Sequence, residues 1–600
     1  MKLTLAHTVL PASSNYPWIY VGQNYLRMRS WEKRLPGKRI SISTLIKEEA
    51  ELQRPHTLEW IRRQREANED SLHWWMTNLA GRANLVSQFF NSIIQIAALK
   101  RWVIENSQEL SDVFVLCEDG FLLRAVRDNL KDNVSIRLKA GWWFGCFLDW
   151  LYYFLRAVYL LIQQIGWFWC HARMANKTRH HRPVPPKGTV YLVHQCLDDK
   201  SFLNDGDLEC RYFTTLPTLL EKQGRQVFKL PWLSNVNISL DQVYERLRAS
   251  SCMIPEDWLK FRDYVRAFFE SCKSIFSIRY DVKFEKLDIC TLVRRERCHQ
   301  WGAGFVNARF WRYGPALKRW GQSLSSLVMI DNYESQPCEH VQKFLWRTRM
   351  HKTSRFIGYV NALFSRDHMS FHTPTGEVES KIFPDIIITT GPLAQKMLIQ
   401  QGLPPNRVRT GPALRQSFPS PDCADEKTKG KGLLLMLSFR PGAVELLDKI
   451  SRVAPWIHSQ LGVPVIVKPH PMTTRASILK WMDWEKLPEG WSWHDGEIHQ
   501  ALSKAWCAVS LSTSAVVDGV FSGCIPCMLT CAQDVSFNTL DILADQFPIL
   551  NNIEDEEIQT RLEEIFVSRR DFYMSETLKI RENLALALNP INDETIAAFD

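Results

Sequence analysis

Val465-Ile466-Val467-Lys468-Pro469-His470-Pro471 decides how the second half of the chain reads. Consecutive β-branched residues suit a parallel strand buried on both faces. The two prolines stop it, because proline lacks a ladder donor and biases the residue before it away from helix. Lys468 and His470 therefore stand at the carboxyl end of a strand, where open α/β sheets bind ligands. Outward from this stretch the order is a strand Leu433 to Leu437, a helix from Val444, the quoted strand, a helix from Thr474, a strand Ala508 to Leu511, a helix from Thr513 and a strand Ile525 to Leu529. That alternation is the mark of a parallel sheet. Ser512-Thr513-Ser514 follows its strand directly and opens a helix. Hydroxyls beside unpaired N–H groups and a helix dipole favour an anion such as a phosphate. Singly, Ser512 reads as a helix cap and His470 as an ordinary loop histidine. Together, at the ends of neighbouring strands, they read as a phosphate site.

The same alternation precedes this unit. A basic, proline-rich connector, Arg179 to Gly188, leads into strands Thr189 to His194, Gln226 to Leu230, Ser326 to Ile330, Arg355 to Tyr359 and Asp385 to Thr389, and a polar linker, Pro419 to Gly432, closes the series. Two Rossmann-like domains in tandem are expected. The boundaries are an N-terminal α/β segment over 1–140, a hydrophobic helical element with its connector over 141–187, the rest of the first domain over 188–417, and a second domain with terminal helices over 432–600. The final segment, Glu554 to Leu588, reads helical and is placed to pack back across both domains.

The 600 residues are 45% hydrophobic and 23% charged, which excludes global disorder and a polytopic membrane protein. A formal net charge of +9 over this length is compatible with an anionic ligand or a membrane surface and too weak for a nucleic-acid binder. Fifteen cysteines, odd in number and scattered through apolar runs, read as reduced buried thiols. Cys524, Cys527 and Cys531 lack a second pair at zinc-finger spacing and also read as a buried strand, so no metal site is expected. His7 and Asn15-Tyr16-Pro17 interrupt the N-terminal apolar stretch, so no export signal is expected. Residues 142–170 are the most hydrophobic part, with tryptophans at both ends and Arg173, Lys177, Arg179 and Arg182 beyond. That pattern suits a bilayer boundary. Asp149, Arg156 and Gln163 fall on one helical stripe, and each of the two charged ones would cost about 2.5–3.5 kcal/mol at a bilayer centre, so a helix lying in the interface is preferred to a spanning one. An internal helical hairpin packed on the same protein is the alternative.

Lys468-Pro469-His470-Pro471 and Ser512-Thr513-Ser514, in that order, resemble the HP and Ser/Thr motifs of bacterial sialyltransferases, polysialyltransferases and Kdo transferases, which are inverting GT-B enzymes using CMP-activated sugars. A wider likeness is to surface-carbohydrate biosynthesis proteins of O-antigen and capsule loci. It is carried by Asp205-Gly206 with Tyr212-Phe213 and Leu216-Pro217, by Tyr333-Glu334-Ser335-Gln336-Pro337-Cys338-Glu339, by Ile357-Gly358-Tyr359 and by Pro384-Asp385 with Gly391. The chain departs from that family where it has Val360-Asn361-Ala362 in place of a histidine after Gly-Tyr, and where Cys338 replaces an aromatic residue.

The resemblance implies an α/β, GT-B-like glycosyltransferase with two Rossmann-like domains facing a cleft. The first domain would hold the acceptor and the second the nucleotide sugar. It would carry a sugar, a nonulosonic acid or Kdo, from a CMP-activated donor to a lipid-linked saccharide, at the cytoplasmic face of the inner membrane and peripherally attached to it. Ser512, Thr513 and Ser514 would hold the phosphate with Pro471, and Lys468 and His470 would stabilise the departing nucleotide. Inversion needs a base near the acceptor hydroxyl. Glu334, just past the strand Leu327 to Ile330, is the choice; Glu118-Asp119-Gly120, with Asp119 as base, is the rival, and Glu334 and Glu339 capping the helix after Pro337 is the structural alternative. Asp205-Gly206-Asp207 is a D-x-D, yet no cofactor or metal is expected. Neither a G-x-G-x-x-G nor a P-loop is present, so dinucleotide oxidoreduction and P-loop ATP hydrolysis lack their phosphate loops. The competing functions are a CDP-alcohol phosphotransferase of teichoic-acid type and a non-catalytic assembly subunit at the membrane.

Overall fold

The computed structural model describes residues 1–8, 15–84, 87–108, 112–181, 186–203, 208–234, 236–350, 353–415, 430–438, 440–471 and 473–600. Asp205-Gly206-Asp207 and most of the Pro419 to Gly432 linker lie outside them.

Three parallel sheets carry the chain. The first joins β1 (Lys2–His7), β2 (Trp18–Val21), β3 (Asp112–Cys117) and β4 (Ser135–Leu138) in the order β2-β3-β1-β4. The second uses β5 (Gly188–Leu197) and β6 (Val227–Leu233). After a short antiparallel hairpin, β7 (Lys283–Phe284) with β8 (Leu287–Asp288), it resumes with β9 (Leu324–Asn332), β10 (Thr353–Val360), β11 (Ile386–Thr389) and β12 (Val408–Thr410). Its order is β12-β11-β10-β9-β5-β6. The third, from β13 (Gly432–Met436), β14 (Val465–Lys468), β15 (Trp491–Trp493), β16 (Ala505–Ser510) and β17 (Ile525–Met528), runs β15-β14-β13-β16-β17. Consecutive burial of Leu433, Leu434 and Leu435 is what a parallel sheet covered on both faces demands.

The second and third sheets are the two Rossmann-like bodies expected of a GT-B-like chain. Each reverses its strand order once, between β5 and β9 and between β13 and β16, and such switch points leave a crevice at the carboxyl ends of the strands. The N-terminal segment differs from expectation in building a sheet of its own, because β1 pairs only with β3 and β4. Its Leu3, Leu5 and Val113 nevertheless share one hydrophobic core with Val190, Leu192 and Leu327 of the second sheet. The segment Glu554 to Leu588 packs on both bodies: Ile558, Ile580 and Leu584 join the core of the third sheet, and a Cβ on Gly391, just past β11, would lie 2.2 Å from Ala587 O. Beyond it Asn589 N–H donates to Thr390 O and Arg225 pairs with Asp600.

Trp142–Lys177 is one helix of 36 residues, long and apolar enough to cross a membrane by composition, with 11% of its most apolar window buried. One face packs on the protein. Gly145 lets it approach β1 so closely that a Cβ there would sit 2.5 Å from the His7 ring, and Asp149 accepts from Gly120 N–H at 2.6 Å and bonds His7 Nε2 at 2.9 Å. Gln163 is exposed and Gln164 is buried against Arg309 instead. A seven-residue repeat drifts by about 20° per heptad on a straight helix, so two heptads carry Gln163 off the contact line. The other face presents Trp143, Phe147, Trp150, Tyr159, Ile162 and Trp169 outward. The neighbouring helix Phe261–Ser277 adds exposed Phe261, Phe269 and Phe276.

Arg82 pins the first segment to the second sheet. Its guanidinium, 0% exposed, meets Glu377 at 2.5 and 3.0 Å and donates to Ser335 Oγ at 3.2 Å. Removing one partner of such a pair strands a buried charge. Arg82→Met should therefore cost about 3–5 kcal/mol in chemical denaturation, while Arg101→Met, in an exposed ion pair, should leave the midpoint nearly unchanged.

Candidate functional site

The acidic loop after β9 is built by close packing. A Cβ on Gly81 would lie 2.3 Å from Ser335 O, so only glycine fits under this turn, and Ser335 itself sits at φ +58. Ser335 Oγ also bonds His340 Nε2 at 3.2 Å, and His340 Nδ1 bonds Trp75 O at 2.7 Å. Glu334 N–H donates to both oxygens of Glu339, each at 3.2 Å. The capping role thus belongs to Glu339, and the Glu334 carboxylate is left to face the cleft. There Glu334 Oε1 accepts from Asn361 Nδ2 at 3.3 Å, with Asn361 directly after β10. Burial pushes the Glu334 carboxyl up, against the Asn361 hydrogen bond and the pull of Arg211 and Arg415.

Beneath this loop, at the β5/β9 switch point, His194 Nδ1 bonds Asp331 Oδ1 at 2.8 Å and Lys343 Nζ stands 3.7 Å from Asp331 Oδ2. Burial raises the Asp331 carboxyl, but His194 and Lys343 outweigh it and hold the group below the usual range. The site therefore rests on a fixed, mostly satisfied polar floor.

From the other lobe, Ser512, Thr513 and Ser514 follow β16. They line the same cavity of about 240 Å³ as Glu334, Asn361 and Arg415. Ser512 Oγ accepts Phe537 N–H at 3.3 Å and Thr513 Oγ1 accepts Ala515 N–H at 3.3 Å, whereas Ser514, the residue before the helix, makes no side-chain cap. That helix, Ala515–Phe521, has seven residues, so the hydroxyls and the cations carry more of the case for an anion than the helix does. Lys468 and His470 follow at the end of β14, half-buried, and Pro471 is exposed in a turn closed by Thr473 N–H on His470 O. Burial, with Arg211, Arg415 and Lys468 around it, pushes the His470 imidazole down to about 4. Lys468 is lowered by burial and by Lys200. Of these groups only Arg415 lines the cavity with the hydroxyls; Arg211, Lys468, His470 and Pro471 lie outside its wall, and Arg211 and Arg415 reach His470 through their charge. The lobes are tied beside the cavity by Ser365 Oγ on Asp541 at 2.7 Å and by Arg366 on Asp545 at 3.0 Å.

Sequence reasoning missed three contributors. Arg211 stands immediately before Tyr212-Phe213, and Arg415 immediately before the polar linker; a cation at each of those edges was the available signal. His368, from the loop after β10, reaches the cavity and lies edge-on to Phe537 at 5.7 Å; burial and His372 push it down to about 4. It supplies the imidazole that the Val360-Asn361-Ala362 departure had left missing from this region, and no local pattern marks it.

Glu118 and Asp119 lie elsewhere. Asp119 caps the helix Gly120–Leu130 through Leu122 N–H at 2.7 Å and pairs with Arg295 at 3.0 Å, and both acids border a different cavity. Cys524 Sγ donates to Leu502 O and Ala505 O, and Cys527 and Cys531 are buried, as the strand reading required.

No family model matches the chain, and comparison with curated proteins returns no significant match. Among solved structures it is similar to the glycosyltransferase SnogD from Streptomyces nogalater, at 10% identity over 69% of this chain and 98% of that one, TM-score 0.37. It is similar to MurG of Acinetobacter baumannii, at 11% identity over 69% and 98%, TM-score 0.35. It is also similar to the UDP-GlcNAc 2-epimerase of Methanocaldococcus jannaschii, solved with UDP-GlcNAc and UDP, at 10% identity over 66% and 99%, TM-score 0.35. Likeness at this level concerns the course of the chain alone.

Proposed function

We propose that the chain is an inverting glycosyltransferase that moves a sugar from a CMP-activated donor, a nonulosonic acid or Kdo, to a lipid-linked saccharide in bacterial surface-polysaccharide synthesis. One observation carries the reading: a carboxylate from one lobe and three hydroxyls from the other line a single cavity with Arg415, whose charge also reaches His470. The CMP preference rests on the resemblance of Lys468 to Pro471 and Ser512 to Ser514. In the transfer, Glu334 takes the acceptor hydroxyl proton as that oxygen attacks the anomeric carbon. The bond from the anomeric carbon to the phosphate oxygen breaks, and its electron pair leaves with the nucleotide. Ser512, Thr513 and Ser514 hold the phosphate, while Arg415, Lys468 and His470 stabilise its growing charge. No metal takes part. The long helix, with its outward tryptophans, holds the enzyme on the cytoplasmic face of the inner membrane and confines it with its acceptor. A furnished cavity favours this over an assembly subunit, since Asn361 holds Glu334 and His368 fills the region where a histidine was missing.

Thermal shift with CMP, CDP, UDP and GDP checks the donor. CMP at about 100 times its Kd should stabilise by about 2.7 kcal/mol. A response confined to UDP or GDP would reject the CMP donor. Glu334→Gln should retain CMP binding and lose about 10²–10⁴-fold in turnover. The acid limb of kcat/KM should lie above the ordinary carboxylate range, because burial raises the Glu334 carboxyl and activity is lost as pH falls through its pKa. His470 should titrate near 4 in the free protein and move upward with CMP or inorganic phosphate, read by NMR of ring-labelled histidine with His470→Gln for assignment. An unmoved resonance would remove His470 from the phosphate site.

A further inference from the structure

A second cavity, of about 520 Å³, opens at the carboxyl end of the first sheet, between the Glu118-Asp119 turn and the inner edge of the long helix. Its volume falls in the roughly 300–1,000 Å³ range of small-molecule sites, and the transfer reading makes no use of it. Four carboxylates (Glu118, Asp119, Asp149, Glu296) and three guanidiniums (Arg27, Arg156, Arg295) border it. Much of that charge is already answered. Asp119 pairs with Arg295 at 3.0 Å, Asp149 bonds His7, and Glu118 accepts N–H groups of Gln23 and Asn24 at 2.5 and 3.0 Å. No one sign of charge dominates, so neither a phosphate nor a cation is selected.

Two buried polar atoms at the cavity, Glu296 Oε1 and His299 Nδ1, have no hydrogen-bond partner among the described residues. Burial pushes the Glu296 carboxyl up to about 7 and the His299 imidazole down to about 4, so near neutrality the imidazole is uncharged and the carboxyl is protonated in a large share of molecules. Beside them stand the ring of Tyr153, edge-on to His299 at 6.5 Å, and that of Tyr152 at the exposed rim. Hydroxyl-bonding groups beside aromatic rings suit a polyhydroxylated ring that is polar at its edge and apolar on its faces. The ring pair belongs to the same helix whose outer side exposes Trp150, Phe154, Leu155 and Tyr159.

We propose that this cavity is a saccharide site that takes the uncharged sugar head of a membrane lipid, with the lipid chain lying along the apolar outer face of the long helix. It rests on the transfer reading only in supplying that reading with a place to anchor a lipid-linked acceptor. The site needs no chemistry of its own.

The test uses the full chain with octyl β-glucoside, glucose and octylphosphocholine, each kept monomeric, and binding read by saturation-transfer NMR. The glucoside should bind about tenfold or more tightly than either the free sugar or the phosphocholine. Tyr152→Ala and Arg156→Ala, two changes at the cavity rim on the long helix, should each remove that preference while the CMP thermal shift persists. Equal binding of the glucoside and the phosphocholine would show an apolar surface without a sugar site, and equal binding of glucose would show a site indifferent to lipid; either overturns the proposal. So does a preference that both variants leave intact. If the preference stands and CMP gives no shift, the CMP-transfer reading fails and this one survives.

Discussion

The buried pair between Arg82 and Glu377 is the constraint on which the site depends. A guanidinium with no exposure needs charge and hydrogen bonds around it, and its two Nη atoms find them in Glu377, Ser335, Ser370 and Ala80. Meeting that demand draws the loop after β9 and the loop after β10 toward the N-terminal segment. Ser335 is then held in a left-handed turn over Gly81, and Glu334 is set with its N–H on Glu339 and its carboxylate in the cleft. The extra sheet at the N-terminus is therefore part of the apparatus that aims the acidic group.

Across the cleft, electrostatics sets the character of the second half of the site. Arg211 and Arg415 act on both Glu334 and His470, so the two lobes share one positive field. That field opposes burial at Glu334 and adds to it at His470. A site so biased holds its imidazole neutral until negative charge arrives, which is the behaviour wanted of a group that meets a departing phosphate.

Much of the fold was legible because parallel strands buried on both faces write themselves as apolar runs. The strands around Leu433, Val465, Ala508 and Ile525 were all found, as were those of the second sheet from Thr189 to Thr389. Lys2–His7, Trp18–Val21, Ser135–Leu138, Val408–Thr410 and Trp491–Trp493 were missed, the last four being strands of only three or four residues that carry too little pattern. Lys468, His470 and Ser512 stand at strand ends as read, because prolines and strand ends fix where such residues project, but only Ser512 of the three lines the cavity with Glu334. Arg211, Arg415 and His368 were not legible, since each sits in a loop whose path is set by tertiary contacts.

The central claim is that the Glu334 loop and the Ser512 turn close on one nucleotide. A structure of the protein with CMP bound tests it most directly. The account predicts the phosphate within hydrogen-bond reach of the hydroxyls at 512–514 and of Arg415, with the open side of the cavity facing the Glu334 carboxylate. A nucleotide seated instead at the Glu118-Asp119 cavity, or with its phosphate turned away from both lobes, would contradict it.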